Sequence, residues 1–287
     1  MREIRYHNDE IIKVDGLHFY GCSYVAGQEL LDKELPDPMA IDPKKMAKQE
    51  GEPQDEYYRR RLSRELLWKK KIKLEKQHAW PQHMCSLLKV RCYNHGQHGS
   101  SMTQMKGNIV QHIIDGLYEP NEAIVVGLTG FAREMVFAED ETLLYHLRKH
   151  GAAVSMVIAS DYERRGDKEF ALKYMNLKGT YTYLWFFLHE IWNIMNICVT
   201  NNVKLYILPM LDPFNLKWYR KQYDIDYKTN EFNTQLKFLM SEIDKYMIKG
   251  MKIDPLGANI IERLPRGHPC AKSHEKFGIK VGEKLLI

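Results

Sequence analysis

Four short runs of apolar residues recur along the chain, and each has the length typical of a buried strand. They lie at residues 17–20, 90–93, 123–127 and 205–210, and residues 152–159 are a fifth candidate that a helix could also fill. Longer segments with helical spacing separate the runs, and this alternation predicts a parallel sheet covered on both faces. The predicted fold class is therefore α/β, a three-layer α/β/α sandwich with a mainly parallel sheet.

Apolar residues at helical spacing predict the helices of the covering layers. The predicted helices span residues 79–88, 102–118, 141–150, 168–200 and 232–249. Leu236, Leu239 and Ile243 would form the buried face of the last helix. Gly250 would end that helix, since glycine readily adopts the left-handed conformation of a C-terminal cap.

A basic segment interrupts the alternation after the first strand. Residues 57–77 carry nine Lys or Arg against two Glu, with Leu62, Leu66 and Leu67 at helical spacing. We expect an exposed helix with one apolar stripe, within a helical insertion at residues 34–77. Such a basic face is usually solvated; the alternative is that it docks on an acidic partner, a nucleic acid or a virion protein.

Composition narrows the class of protein. With 287 residues, 44% of them apolar, the chain can bury a large core, and we expect a single domain over residues 1–287. A net charge of +5 does not by itself imply a nucleic-acid partner. No glycine-rich dinucleotide motif and no P-loop occurs, so the sequence predicts no nucleotide cofactor.

The cysteines and the apolar segments indicate the cellular compartment in which the protein is expected. Five cysteines without CxxC spacing favour reduced thiols in a cytoplasmic setting. The segment MREIRYHNDE lacks the apolar core of a secretory signal. The most apolar long window, residues 181–200, contains His189, Glu190 and Asn193, which would be costly in a membrane. We therefore expect a soluble protein without a membrane partner.

Ser23 is the first candidate for covalent chemistry, because it follows the first predicted strand in FYGCSYVAG. A serine hydroxyl needs a base that takes its proton and donors that stabilise the oxyanion. The nucleophile motif of α/β-hydrolases, GxSxG, fails here because Val25 stands at its last position. Cys22 could supply a thiol instead, but neighbouring residues on a strand exit point to opposite sides.

Four short blocks occur in one order: Gly21-Cys22-Ser23, the segment NHGQHG at residues 94–99, Gly127-Leu128-Thr129, and His268-Pro269. Together they resemble the blocks of the SGNH hydrolases, the superfamily of GDSL-type esterases and lipases. The resemblance is closer to a viral or phage-encoded branch whose first block reads GCS. Residues 79–84, 127–133 and 268–278 have counterparts in that branch.

The resemblance implies an SGNH-hydrolase-like fold and a role for each block. Ser23 would be the nucleophile and its backbone N–H an oxyanion donor, with Gly99 giving a second N–H. Thr129 stands where the family has an asparagine as third donor, and His268 would be the base. The implied reaction is ester hydrolysis through a Ser23 acyl-enzyme without a cofactor or metal. The implied substrate is a small ester or an acylated carbohydrate. A phage-encoded protein of this kind would lie in the host cytoplasm or in the virion.

The sequence departs from the family at the orienting acid. The family places an aspartate three residues before the histidine, where this chain has Pro265. A backbone carbonyl could orient His268 instead, or Asp254 or Glu262 could supply the acid. The alternative is a virion structural or interaction protein that keeps the fold without efficient catalysis.

The remaining candidates have weaker patterns. Arg133 could bind an anionic group of a substrate or form a salt bridge, and Asn94 could contact substrate or organise its loop. His95 and His98 would lie at the rim of the substrate pocket. His268, Cys270 and His274 lack zinc-site spacing, and His274 is expected to begin or cap the final helix. His189-Glu190 lacks the second histidine of the HExxH motif, because position 193 is asparagine.

Overall fold

The computed structural model describes residues 1–28, 30–31, 51–97, 100–130, 133–135, 155–157, 180–222, 230–264 and 267–287. Several predictions lie outside these residues. They are the helix at 141–150, the strand candidate beyond Ser155–Val157, residues 168–179 of another helix, residues 34–50 of the insertion, and His98, Gly99 and Pro265. The single-domain assignment and the insertion at residues 34–77 therefore stay predictions.

The strands and helices alternate along the chain. The strands are β1 (Arg2–Arg5), β2 (Ile11–Val14), β3 (Gly16–Tyr20), β4 (Arg91–Asn94), β5 (Glu122–Leu128), β6 (Arg133–Met135), β7 (Ser155–Val157) and β8 (Lys204–Pro209). The helices are α1 (Ser23–Ala26), α2 (Gln54–His78), α3 (Trp80–Leu88), α4 (Met102–Ile114), α5 (Thr180–Thr200), α6 (Leu216–Gln222), α7 (Asn230–Asp244) and α8 (Ala271–Leu285). In this part of the chain no helix has the length and apolar character needed to cross a membrane.

The central sheet confirms the predicted α/β class. Four parallel strands pair in the order β4-β3-β5-β8, and each corresponds to one of the four predicted apolar runs. Every residue of β3 and β5 is buried, which explains their continuous apolar signal. Because all four strands run in one direction, their carboxyl ends lie along a single edge of the sheet.

Two adjacent residues of β3 show that helices cover both faces of the sheet. Phe19 contacts Trp80 of α3 edge-on, with ring centroids 5.3 Å apart, whereas Tyr20 hydrogen-bonds to His112 of α4. Successive side chains of a strand point to opposite faces, so α3 and α4 lie in opposite layers. Phe277 of α8 also packs on Trp80, with centroids 5.6 Å apart, which places α8 with α3. The predicted three layers are confirmed.

A hairpin of β1 and β2 precedes the main sheet and was not predicted. It docks against β8: the Tyr206 hydroxyl donates to the Arg5 carbonyl at 3.0 Å, and His7 Nε2 donates to the Leu205 carbonyl at 2.9 Å. The Leu205 N–H donates to the Tyr6 hydroxyl at 3.2 Å. The hairpin was missed because its strands have four residues each and are partly exposed.

The predicted helix at residues 232–249 is correct in type, but its end is wrong. The helix ends at Asp244, because the following residues leave it to pair with β8. Met247 forms a parallel bridge with Ile207, and the Ile207 N–H donates to the Tyr246 carbonyl at 2.8 Å. Gly250 has the expected positive φ of 79°, but it lies in this later turn and does not cap the helix.

The remaining strand candidate, at residues 152–159, contains β7. This strand pairs antiparallel with β6, in a separate two-stranded sheet. The basic segment forms the long helix α2, as predicted, and Leu62, Leu66 and Leu67 on it are each more than half exposed.

Candidate active site

Ser23 begins α1 at the carboxyl end of β3, and only 4% of it is exposed. The helix is a single turn, in which the Val25 and Ala26 N–H groups both donate to the Cys22 carbonyl, at 2.9 and 3.0 Å. Gly27 ends it in the left-handed conformation, with a φ of 74°. The first N–H groups of a helix have no acceptor within the helix, and the Ser23 N–H is one of these.

Three glycines from three strand exits enclose α1. A Cβ added to Gly21 would lie 2.1 Å from Val25 Cγ2, and one added to Gly127 would lie 2.7 Å from the same atom. A Cβ on Gly96 would lie 2.7 Å from the Ala26 nitrogen. The glycines of the sequence blocks therefore have a packing role: they allow the turn that carries Ser23 to sit against β5 and the loop after β4.

The loop after β4 runs beside the exit of β3. The His95 N–H donates to the Phe19 carbonyl at 2.8 Å, and the Gln97 N–H donates to the Gly21 carbonyl at 2.9 Å. Gly99, the predicted oxyanion donor, lies two positions beyond Gln97 and outside the described residues. Its role stays a prediction.

Asn94 fastens this loop to α1. Its amide nitrogen donates to the Val25 carbonyl at 2.8 Å, and its amide oxygen accepts from the Gly96 N–H at 2.9 Å. Both ends of the amide are thus engaged with backbone groups. This geometry fits a loop-organising side chain, and substrate contact by Asn94 stays a prediction.

Thr129 lies at the same edge of the sheet as Ser23. In the parallel pairing Tyr20 is opposite Val126, and Ser23 and Thr129 each follow their strand's paired residue by three positions. Thr129 is 4% exposed, as Ser23 is. Arg133 begins β6, but its side chain is not described.

His268 lies between Gly267 and Pro269, shortly before α8 begins at Ala271. The Leu264 N–H donates to the His268 carbonyl at 2.7 Å, and Gly267 adopts a φ of 91° between them. The imidazole of His268 lies against the ring of Tyr24, with centroids 5.5 Å apart. The fold therefore brings the predicted base to the side chain that follows the predicted nucleophile.

The two acids named as substitutes for the orienting aspartate have different surroundings. Asp254 accepts hydrogen bonds from Lys280 and from Asn259, the latter at 2.6 Å. Burial acts to raise the pKa of Asp254, but these hydrogen bonds outweigh it and lower the pKa. Glu262 is exposed. Its carbonyl accepts the Cys270 N–H at 3.0 Å, next to the antiparallel bridge between Arg263 and Pro269. Alternation along this pairing puts Glu262 and His268 on the same side.

The sequence analysis missed a buried chain of side chains behind the site. His18 Nε2 donates to Glu122 Oε2 at 2.8 Å, while His18 Nδ1 lies 3.0 Å from His95 Nε2. Because His95 belongs to the loop beside α1, the chain links the start of β5 to the site's rim. A histidine and a glutamate inside otherwise apolar strands were the signal that could have revealed it.

Burial controls the charges in this chain. Burial lowers the pKa of His95 to about 3, and the nearby charges of His112 and His18 add to this effect. Burial also lowers the pKa of His18, against the opposing effect of Glu122. For Glu122, burial acts to raise the pKa, but hydrogen bonds from the Glu119 N–H and from His18 outweigh it. Near neutral pH the imidazoles of His18 and His95 are therefore neutral, and Glu122 is a carboxylate.

His274 lies in the first turn of α8 but caps another helix. Its Nδ1 accepts the N–H of Trp80, the first residue of α3, at 3.1 Å. The residue is fully buried, and burial lowers the pKa of its imidazole to about 3, with the charges of His83 and His268 adding to this. Within the described residues no group of three or more His, Cys, Asp or Glu is arranged to hold a metal ion.

No protein-family model matches the sequence, and no curated protein matches it. Among solved structures, the chain is similar to a member of the lipolytic protein G-D-S-L family from Veillonella parvula, at 11% identity with a TM-score of 0.42, covering 93% of this chain and 96% of that one. It is also similar to a catalytic mutant of the acetylxylan esterase Axe2 from Geobacillus stearothermophilus, at 12% identity and a TM-score of 0.44, covering 96% and 95%. A third is a GDSL-like lipase from Bacteroides thetaiotaomicron, at 11% identity and a TM-score of 0.36, covering 94% and 88%.

The resemblance to a viral or phage-encoded branch stays a prediction, as does a location in host cytoplasm or virion.

Proposed function

We propose that the protein is a serine esterase of the SGNH type, in which Ser23 is the nucleophile and His268 the base. One observation carries the proposal: the His268 ring packs on the ring of Tyr24, although 244 positions separate the two residues in the sequence. The ordered sequence blocks support the same assignment. A single serine at a strand exit would support it far less.

The chemistry follows from these two groups. Ser23 Oγ attacks the carbonyl carbon of the ester while His268 takes the hydroxyl proton. The tetrahedral intermediate then collapses, the C–O bond to the alcohol breaks, and His268 returns the proton to the leaving oxygen. Water attacks the resulting acyl-enzyme with His268 again as base, which releases the carboxylic acid and restores the Ser23 hydroxyl.

Three groups are assigned to the oxyanion in this mechanism. The Ser23 N–H at the start of α1, the Gly99 N–H and the Thr129 hydroxyl would donate to it. The preferred substrate is a small ester, and removal of an O-acyl group from a carbohydrate is the specific reaction that the family resemblance implies. Arg133 would bind an anionic group of such a substrate.

The test is hydrolysis of p-nitrophenyl acetate by the full chain and its variants. We expect Ser23→Ala and His268→Ala each to lower kcat by at least about a thousandfold, and the double variant to be no worse than either, because the two groups act as a unit. Ser86→Ala is the matched control, since Ser86 is an exposed serine on α3.

A thiol mechanism is tested in the same assay. Cys22→Ala should keep the wild-type rate if the Ser23 hydroxyl is the nucleophile, and a fluorophosphonate should label Ser23. Wild-type activity in Ser23→Ala would overturn the proposal.

Two departures, Thr129 and Pro265, favour a second candidate: a protein of this fold that serves in assembly, including in a virion, without efficient catalysis. This candidate predicts that the wild type hydrolyses p-nitrophenyl acetate little faster than Ser23→Ala does, and that the fluorophosphonate labels Ser23 poorly or not at all.

A further inference from the structure

One face of α2 is exposed along four turns of the helix. At roughly 100° per residue, seven residues of the segment 55–69 lie within about 60° of Leu62. We call them the Leu62 face; they are Asp55, Tyr58, Arg59, Leu62, Glu65, Leu66 and Lys69. Its apolar centre consists of Tyr58, Leu62 and Leu66, which are 57%, 57% and 58% exposed.

The opposite side of α2 holds the helix to the protein. Lys71, about 180° from Leu62, is 5% exposed, and Glu75 is 1% exposed. Gly27 after α1 also lies close to this side, because a Cβ on it would be 2.9 Å from the Glu75 carbonyl oxygen. The Leu62 face therefore points away from the sheet.

The charges on the Leu62 face are arranged symmetrically about Leu62, with opposite signs. Asp55 and Lys69 are each seven positions from Leu62, and Arg59 and Glu65 are each three positions from it. Tyr58 and Leu66 are each four positions from it. When an identical helix lies antiparallel across Leu62, Asp55 meets Lys69 of the other copy at both ends of the contact, because both lie within about 20° of its centre line, and Tyr58 and Leu66 lie opposite each other between them. Arg59 and Glu65 lie about 60° to either side of that line, so in the dimer they are on opposite flanks and do not pair with each other.

This pattern selects one kind of partner. A parallel copy would set Asp55 against Asp55 and Lys69 against Lys69, which is repulsive. A polyanion would meet two carboxylates on the same face, Asp55 and Glu65, whose side chains are 69% and 50% exposed. Within the face each acid already pairs with a base, Arg59 to Asp55 at 3.6 Å and Lys69 to Glu65 at 2.9 Å.

We propose that the Leu62 face is the contact surface for a second copy of this chain, with the two α2 helices antiparallel about a two-fold axis through Leu62. Such a contact is isologous, because the same patch is used on both subunits. A single pair of helices buries little area, and interfaces below about 1,200 Å² are typical of transient association. We therefore expect a dimer that dissociates in the micromolar range.

Sedimentation velocity of the full chain between about 1 and 100 µM tests the proposal. Leu62→Glu sets two carboxylates face to face on the axis and should raise the dimer dissociation constant more than about tenfold. Leu67→Glu is the matched control: Leu67 has the same 57% exposure on the same helix but lies about 140° away from Leu62. It should change the constant by no more than about twofold.

Charge reversal tests the antiparallel register. Asp55→Lys and Lys69→Asp should each weaken the dimer about tenfold, and the double variant should recover to within about threefold of the wild type. The double variant does not restore the pairs within one helix, since it sets a lysine beside Arg59 and an aspartate beside Glu65. Recovery can therefore come only from contacts between helices.

Three outcomes would overturn the proposal. The first is a wild type that stays monomeric at about 100 µM. The second is tight binding of a single-stranded oligonucleotide that Leu62→Glu abolishes, which would make the face a polyanion site. The third is a Leu62→Glu variant that loses thermal stability as a monomer, which would mean that a segment of the same chain covers the face.

Discussion

The imidazole of His268 and the phenol ring of Tyr24 pack together at a centroid distance of 5.5 Å, with their planes inclined by 51°. Tyr24 directly follows Ser23 in α1. The turn that presents the proposed nucleophile therefore also supports the proposed base, and a change in one ring shifts the other relative to the Ser23 hydroxyl.

The first prediction concerns this ring contact. Tyr24→Ala should lower kcat for p-nitrophenyl acetate by about a hundredfold with little change in KM, because small misplacement of a catalytic group is costly. Tyr24→Phe is the control that keeps the ring, and it should stay within about threefold of the wild type. Equal losses in both variants would show that the hydroxyl, and not the ring contact, matters.

The second prediction concerns the threonine after β5. Thr129→Val keeps the shape of the side chain but removes the hydroxyl, and should lower kcat by about tenfold to a hundredfold if that hydroxyl donates to the oxyanion. Thr129→Ser keeps a donor and should retain more activity than Thr129→Val. Full activity in Thr129→Val would remove Thr129 from the mechanism.

The third prediction concerns packing around Val25. Gly127→Ala places a methyl group against Val25 Cγ2 and should lower the free energy of unfolding by about 1–3 kcal/mol, measured by urea denaturation. Val25→Ala in the same chain should recover part of that loss. Gly107→Ala, at an exposed position of α4 with no atom within 4 Å of the new Cβ, is the control and should stabilise by about 0.5–1 kcal/mol.

The fourth prediction concerns the loss of folding stability at acidic pH. Burial lowers the pKa of His274 to about 3 in the folded chain, against an ordinary value of 6.5, so below pH 6.5 the unfolded chain binds a proton that the folded chain excludes. Stability is therefore present above pH 6.5 and falls as the pH drops toward 3. His7 and His95 act in the same direction, because burial lowers the pKa of His7 to about 4 and that of His95 to about 3.

For His274 this amounts to about 2 kcal/mol between pH 7 and pH 5. Urea denaturation at both pH values measures it, and His274→Gln should lose about that much less than the wild type. The same loss in both proteins would show that His274 titrates normally in the folded state.

The main sheet could be predicted because β3 and β5 are buried on both faces, which leaves an unbroken apolar run in each. The hairpin could not, because Ile11 is 55% exposed and short half-buried strands leave a faint pattern. The end of α7 depends on pairing between Met247 and Ile207, and local spacing carries no information about such a distant contact.

The residues of the candidate site also include some that could be predicted from the sequence and some that could not. Ser23, Asn94 and Thr129 could be placed at one edge, because residues that follow parallel strands emerge there. The His18–Glu122 pair joins residues 104 positions apart, and nothing near either residue in the sequence predicts the other. The pairing of β3 with β5 decides such contacts.

The docking of the hairpin on β8 has a consequence for biosynthesis. Tyr6 and Leu205 are 199 positions apart. At about 5–20 residues per second, the hairpin leaves the ribosome roughly 10–40 seconds before its partner strand emerges. During that interval the apolar side chains of Ile4, Ile12 and Val14 are buried only in part, because they reach their final burial only in the finished fold, where α8 also contacts β1. Nascent chains of this protein should therefore depend on chaperones.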